Sequence, residues 1–160
     1  RMAPDPADGR LDEIDRAILR ALCRDGRLTV TELAARVGLS KSPTQVRLTR
    51  LQAAGYILGF RAVIDPARLG LAHIAFVEVR LKDTTEAALR AFNAAVREVP
   101  EIEECHMIAG AFDYLLKVRT EDIRRYRDVL GETISALPHV STTSTHVAME
   151  AVKDDAMLKL

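Results

Sequence analysis

The chain has 160 residues, 48% hydrophobic and 29% charged, and its 23 Lys and Arg balance its 23 Asp and Glu. This composition excludes disordered and collagen-like classes, and no apolar run approaches the roughly 18–20 residues that a membrane helix needs. With no hydrophobic signal segment, Met2 as the expected native start, and Cys23 and Cys105 expected to stay reduced, the sequence reads as a cytoplasmic protein.

In chain order, residues 1–10 are rich in Pro, Gly and Asp and are expected to fray. Leu11, Ile14, Ile18, Leu19 and Leu22 then recur at helical spacing, with Asp12 placed to cap the start and Asp25-Gly26 to end it. Cys23 is expected in that helix's core. Residues 31–37 form a second, shorter helix stopped by Gly38, which suits a left-handed C-terminal turn. Ser40 is expected to cap a third helix, with Pro43 tolerated in its first turn and Gly55 closing it. A short β segment, ILGFRAVID, follows, and Asp65-Pro66 and Gly70 punctuate a hinge over residues 65–70.

Beyond the hinge the period changes. HIAFVEVRL alternates as a strand, and Ala88, Leu89, Phe92, Val96 and Val99 make one face of a helix ended by Pro100. EIEECHMIA and FDYLLKVRT read as strands around a tight turn at Gly110. Ile123, Tyr126, Leu130, Ile134 and Leu137 form a second helical stripe before the β-branched run VSTTSTHVAMEAV. The fold class is therefore α+β: a helix-turn-helix domain over residues 11–64, then a ferredoxin-like βαββαβ domain over 71–155. Residues 1–66 hold 11 basic and 8 acidic side chains and residues 67–160 hold 12 and 15, so the two domains are expected to meet different partners.

From Leu33 to Ile64 there is no Asp, Glu or His, yet Arg36, Lys41, Arg47, Arg50 and Arg61 gather there. With Thr44, Leu48, Leu51 and Gly55 inward on the third helix, Ser42, Val46, Thr49, Arg50 and Ala53 face outward, and Gln45 and Arg47 lie on the flanks. A major groove admits one helix, in which Arg can read guanine, Gln adenine, and Val46 a thymine methyl. Ser42, Thr49 and Lys41 suit phosphate oxygens. DNA contact is thus assigned to Lys41, Ser42, Gln45, Val46, Arg47, Thr49 and Arg50, on the condition that the cations reach outward. The competing reading is an ordinary amphipathic helix whose Arg47 and Arg50 are merely solvated.

The stretch LDEIDRAILRALCRDGRLTVTELAARVGLSKSPTQVRLTRLQAAGYILGFRAVIDPARLG resembles the N-terminal half of the Lrp/AsnC (leucine-responsive regulatory protein/asparagine regulator) transcription factors. ECHMIAGAFDYLLKVRT and VSTTSTHVAMEAVKD resemble their effector domain, so the likeness covers about residues 11–155 and is closest to the leucine-responsive branch. The resemblance implies a winged or hairpin-tailed helix-turn-helix joined to an amino-acid-sensing domain. It also implies homodimers formed through the sheets and assembled to octamers, promoter DNA with a pseudo-palindromic site, control of amino-acid metabolism genes and nucleoid association. The effector is expected between dimers, near the turn Ala109-Gly110-Ala111-Phe112-Asp113.

A free amino acid presents an ammonium, a carboxylate and a side chain. Asp113 can take the ammonium, and Gly110, lacking a Cβ, lets backbone N–H groups approach the carboxylate. Thr143 and Thr145, two apart on one strand, share a face and match the family's Thr-x-Thr; they are candidates for contacting the ligand from a neighbouring subunit. Met107, Ala109 and Phe112 complete the candidate effector site. Each has a structural alternative: Asp113 as a turn cap, Met107 as core, and the threonines as ordinary strand residues. Ala111 departs from the acidic or polar residue often found at that position in the family.

His73, His106, His139 and His146 include no i, i+4 pair, and no cysteine pair has ligand spacing, so no metal and no cofactor is expected beyond an amino-acid effector. Cys105 and His106 are adjacent in a strand and point to opposite faces, which precludes a nucleophile–base pair. The chain is not expected to be an enzyme. The rival class is a ligand-binding and assembly module acting on a protein partner without sequence-specific DNA binding.

Overall fold

The computed structural model describes residues 11–154, so the expected fraying of residues 1–10 and the end of the second domain at 155 lie outside the described residues. The chain divides into two compact units, the first closing at Val63 and the second spanning Ile64–Lys153.

The first unit holds α1 (Glu13–Arg24), α2 (Val30–Val37) and α3 (Lys41–Ala53). Local chemistry starts and stops each one. Asp12 caps α1 as part of a capping box whose other member is Asp15, and Thr29 with Glu32 forms the equivalent box on α2. Gly38 ends α2 at φ 72°, and Leu39 N–H bonds back to Ala34 O at 3.0 Å. Gly55 does the same for α3 at φ 76°: Tyr56 N–H donates to Leu51 O and Gly55 N–H to Gln52 O, both at 3.0 Å, the paired bonds of a Schellman end. Ile18, Leu19, Leu33 and Leu51 form the buried core of this unit.

Three expectations are corrected here. Ser40 occupies the N-cap of α3 in extended geometry, but its side chain makes no capping bond; instead its carbonyl accepts from Thr44 Oγ1 at 2.9 Å. Cys23 is exposed, because it lies about 140° around α1 from Ile18, off the narrow buried stripe. Residues 57–65 belong to no strand: among the described residues they find no pairing partner, and Leu58 and Val63 stand almost fully exposed.

In the second unit a 3₁₀ turn, Ala67–Leu69, precedes β1 (His73–Leu81), α4 (Glu86–Val96), β2 (Ile102–Met107), β3 (Tyr114–Thr120), α5 (Ile123–Asp128) and β4 (Val140–Val147). The sheet is four-stranded and antiparallel in the order β2-β3-β1-β4. This is the ferredoxin-like arrangement expected from the sequence. One face, carried by Ala75, Val77 and Val79 of β1 and Tyr114, Leu116 and Val118 of β3, packs against Phe92, Val96, Tyr126, Val129 and Ile134 as one core. The other face alternates into Phe76, Glu78 and Arg80 on β1 and Leu115, Lys117 and Arg119 on β3.

The second helical stripe is not one α-helix. After α5 the chain makes a π-helical turn over Val129–Thr133 and a 3₁₀ turn over Ile134–Ala136. Val129 is buried, and Ile123, at the start of α5, is more than half exposed. The link between β2 and β3 is also longer than a tight turn, running over residues 108–113, and Gly110 is not in the left-handed region.

Candidate DNA-reading helix and effector turn

α3 follows α2 across the left-handed Gly38 and is anchored by Thr44 and Leu51, both fully buried. That anchoring turns Lys41, Ser42, Gln45, Val46 and Thr49 into solvent, with Val46 69% exposed. The one polar contact within this set is Gln45 Nε2 donating to Thr49 Oγ1 at 3.2 Å, one helical turn on. Lys41 sits at the first helical position, where the unbonded N–H groups of the helix also favour an anion.

The expectation that Arg47 and Arg50 carry free, outward charge is corrected by their ion pairs with α1. Arg47 Nη1 bonds Asp12 at 2.6 Å and Asp15 at 2.8 Å, and Arg50 Nη2 bonds the other oxygen of Asp15 at 2.5 Å. The Asp15 side chain is 1% exposed, against 21% for Arg47 and 33% for Arg50. The strip from Leu33 to Ile64 is acid-free along the chain but not in space, because α1 delivers two carboxylates to its most central cations. Burial by itself pushes the Asp15 carboxyl up; hydrogen bonds from Arg47 and Arg50 outweigh it and hold the carboxyl below its ordinary value. Arg47 is likewise disfavoured by burial and then driven above its ordinary value by the two aspartates.

Asp15 is the buried partner of the α3 arginines that the sequence analysis does not single out. Its signal was present: it sits four residues after Leu11 and three before Ile18, an acid in the middle of an apolar stripe. A buried acid needs a cation, and α3 supplies two.

In the second unit Ala109, Gly110, Phe112 and Asp113 fall together in the β2–β3 link. Asp113 is built into the fold there. Its N–H donates to Val79 O at 2.9 Å, and its Oδ2 accepts from Leu81 N–H at 2.7 Å, which ties the residue just before β3 to the end of β1. A Cβ at Gly110 would meet only an Ile108 methyl, at an ordinary 3.6 Å, so nothing within the chain requires glycine there.

Met107 lies opposite Tyr114, Tyr114 opposite Val79, and Val79 opposite Thr143. All four therefore share the helix-covered side of the sheet, as does Thr145 opposite Val77. Met107 and Thr143 are on the two outer strands, three strand spacings or about 14 Å apart. The hydroxyl of Thr145 is engaged by Tyr126 Oη at 2.5 Å. One chain thus brings the turn residues together and sets Thr143 three strands from Met107, with Asp113, bonded to Val79, between them. Cys105 pairs with Leu116 and His106 with Leu115, on opposite faces. Among the described residues no three His, Cys, Asp or Glu side chains gather to hold a metal, and no helix is long and apolar enough to cross a membrane.

A helix-turn-helix with an exposed third helix, followed by a ferredoxin-like domain whose β2–β3 link carries Gly110 and Asp113, defines a two-domain regulator that joins DNA contact to ligand binding. Residues 11–57 match the winged helix-turn-helix DNA-binding family, and residues 74–158 match the Lrp/AsnC ligand-binding domain. The chain is 65% identical to the proline dehydrogenase transcriptional activator of Rhizobium radiobacter, over 90% of this chain and 92% of that one. It is 46% identical to the leucine-responsive regulatory protein of Salmonella typhimurium, over 92% and 90%. Its structure resembles that of a Neisseria meningitidis transcriptional regulator in complex with L-methionine, with a TM-score of 0.87 and 31% identity over 94% and 97%. The chain belongs to the Lrp/AsnC family of transcriptional regulators.

Proposed function

We propose that the chain is a sequence-specific regulator of amino-acid metabolism genes, binding promoter DNA through α3 and answering a small amino acid held by its second domain. The observation that carries the reading is the outer face of α3, where Ser42, Gln45, Val46 and Thr49 are exposed beside Lys41. An amide, a methyl-bearing side chain and two hydroxyls are the groups that read base edges and grip phosphates. Arg47 and Arg50 contribute as clamped side chains, not as free cations.

The effector reading rests on the β2–β3 link, with Asp113 receiving the ammonium on the carboxylate oxygen that Leu81 leaves free and Gly110 giving room at the backbone. Met107, Ala109 and Phe112 line the side-chain end, and Thr143 and Thr145 come from a neighbouring subunit. Homodimers assembled to octamers supply that neighbour, and a two-fold dimer calls for a pseudo-palindromic site with half-sites about one helical turn apart or a multiple of it. The protein acts in the cytoplasm, on the nucleoid, and catalyses no reaction. The Rhizobium radiobacter relative is named as an activator of proline dehydrogenase transcription, which makes proline the first effector to test and the upstream region of a proline-catabolic gene the first duplex.

Fluorescence titration of that duplex at two salt concentrations tests the DNA half, since phosphate contacts make affinity fall steeply as salt rises. Affinity independent of salt and sequence refutes it and favours a protein partner. A thermal-shift screen of the twenty amino acids tests the sensing half, because a ligand bound only by the folded form raises apparent stability; no shift with any of them refutes it.

A further inference from the structure

We propose that Asp15, with Asp12, is a specificity-determining pair that acts through Arg47 and Arg50, withholding their charge from DNA of any sequence. The inference rests on the reading of α3 as a DNA-contacting helix. Its own support is the closed ion cluster, in which two carboxylates from the first turn of α1 face two guanidinium groups from α3.

The cluster is electrically balanced, and each of its four carboxylate oxygens accepts a hydrogen bond. Asp15 Oδ1 accepts from Arg47, and Oδ2 accepts from Arg50 and, at 3.2 Å, from Asp12 N–H. Asp12 Oδ1 accepts from Asp15 N–H at 2.8 Å, and its Oδ2 accepts from Arg47. The same two side chains therefore start α1 and hold α3 against it. This fixes how α3 is rolled about its axis, and so which side chains point outward.

Cations that reach phosphates bind every duplex alike, whereas groups that reach base edges discriminate. Holding Arg47 and Arg50 on Asp12 and Asp15 subtracts from the sequence-blind attraction and leaves the contact to Gln45, Val46 and Thr49. The acids lower background binding without touching DNA, which makes them positioning residues.

The test uses the full chain, a duplex selected from a random pool by the wild type, and a scrambled duplex of the same composition. Asp15→Asn keeps the shape and removes one negative charge. One freed phosphate contact steepens the log–log salt dependence by about 0.9 and tightens binding to the scrambled duplex about eightfold at ~0.1 M salt relative to 1 M. The preference for the selected duplex falls correspondingly. Asp12→Asn keeps a good N-cap for α1 and, of the two arginines, affects Arg47 alone; it is expected to move both readouts in the same direction while leaving folding intact, so it decides the matter should Asp15→Asn not fold.

A purely structural role predicts weaker binding to both duplexes with an unchanged salt slope, and that result overturns the proposal. Equal behaviour of wild type and both variants on a duplex that the wild type does select overturns it while leaving the DNA reading in place. A selection that enriches no sequence overturns the DNA reading itself, and the proposal with it.

Discussion

Asp113 allows a structural role and a ligand role to be separated by two substitutions at one position. Its Oδ2 accepts the Leu81 N–H at 2.7 Å, and its own N–H donates to Val79 O at 2.9 Å, so it ties the β2–β3 link to the last residues of β1. A hydrogen bond to a charged group is worth about 1.5–3 kcal/mol when well buried. The Asp113–Leu81 bond is only partly buried, which lowers the expectation for Asp113→Ala to about 1–2 kcal/mol through partial solvation of the freed N–H. In a domain of this size each kcal/mol moves the melting temperature by about 4–8 °C, so the alanine variant should melt roughly 4–16 °C lower. Asp113→Asn keeps an oxygen for Leu81 and exchanges a charged bond for a neutral one of about half the strength, a loss of about 1 kcal/mol or less. The asparagine variant is therefore expected to fold almost as well as the wild type and to bind DNA unchanged without effector. It should give no thermal shift, and no change in DNA affinity, with the amino acid that moves the wild type. If it is as destabilised as the alanine variant, the argument from the Leu81 bond is wrong; if it still answers the amino acid normally, the ammonium assignment is wrong.

Gln45→Ala should reduce discrimination at one base pair by about 1–3 kcal/mol, and Val46→Ala should weaken preference for thymine at its contact; neither should lower the melting temperature, since both side chains are exposed. Arg47→Ala is a poor reporter of base contact, because it removes one of the two cations that hold Asp15; Arg50 stays on the carboxylate, so the loss should be smaller than the about 3–5 kcal/mol of a fully broken buried pair, and visible as a lower urea midpoint. Stability should also fall in acid. The Asp15 carboxyl is held below its ordinary 3.8, so its contribution is complete above that pH and is lost as the pH drops further through the folded value; Asp15→Asn should show a flatter melting profile over the same range. Thr145→Val leaves the buried Tyr126 hydroxyl without its partner and should cost about 1–3 kcal/mol, whereas adding Tyr126→Phe should recover much of the loss; additive losses in chemical denaturation would refute that pairing.

What could be read along the chain was what short-range chemistry determines. Asp12 before a helical stripe, Gly38 and Gly55 after one, and the alternation of HIAFVEVRL each act within a few residues, and the structure reproduces them. What failed depended on partners distant in sequence. A β-like segment at 57–65 needs a second strand to become a strand, and the chain offers none among the described residues. The stripe from Ile123 to Leu137 keeps its apolar spacing only on average, because a π-turn shifts the register. The acid-free strip was the largest such error. Counting acids along residues 33–64 ignores that α1, more than 30 positions earlier for each arginine contact, packs its own carboxylates beneath α3. A helix can look cationic in sequence and be close to neutral on the side that meets its neighbour.

The same logic bears on why a sensing domain of this shape would couple ligand to assembly. Met107 ends the outer strand β2, Asp113 is held against β1, and the threonine pair sits on the opposite outer strand, β4. Met107 stands about three strand spacings, roughly 14 Å, from the threonine strand and Asp113 about two, roughly 10 Å, so on the proposed reading the threonines that meet the effector are those of a neighbouring subunit. Two subunits must present opposite sides of their sheets to one another, and the ligand's binding energy is then shared between them. A ligand held in this way favours one arrangement of subunits by its differential contacts, typically a coupling of about 1–3 kcal/mol. That suffices to change which pairs of reading helices are held at the spacing of a DNA site.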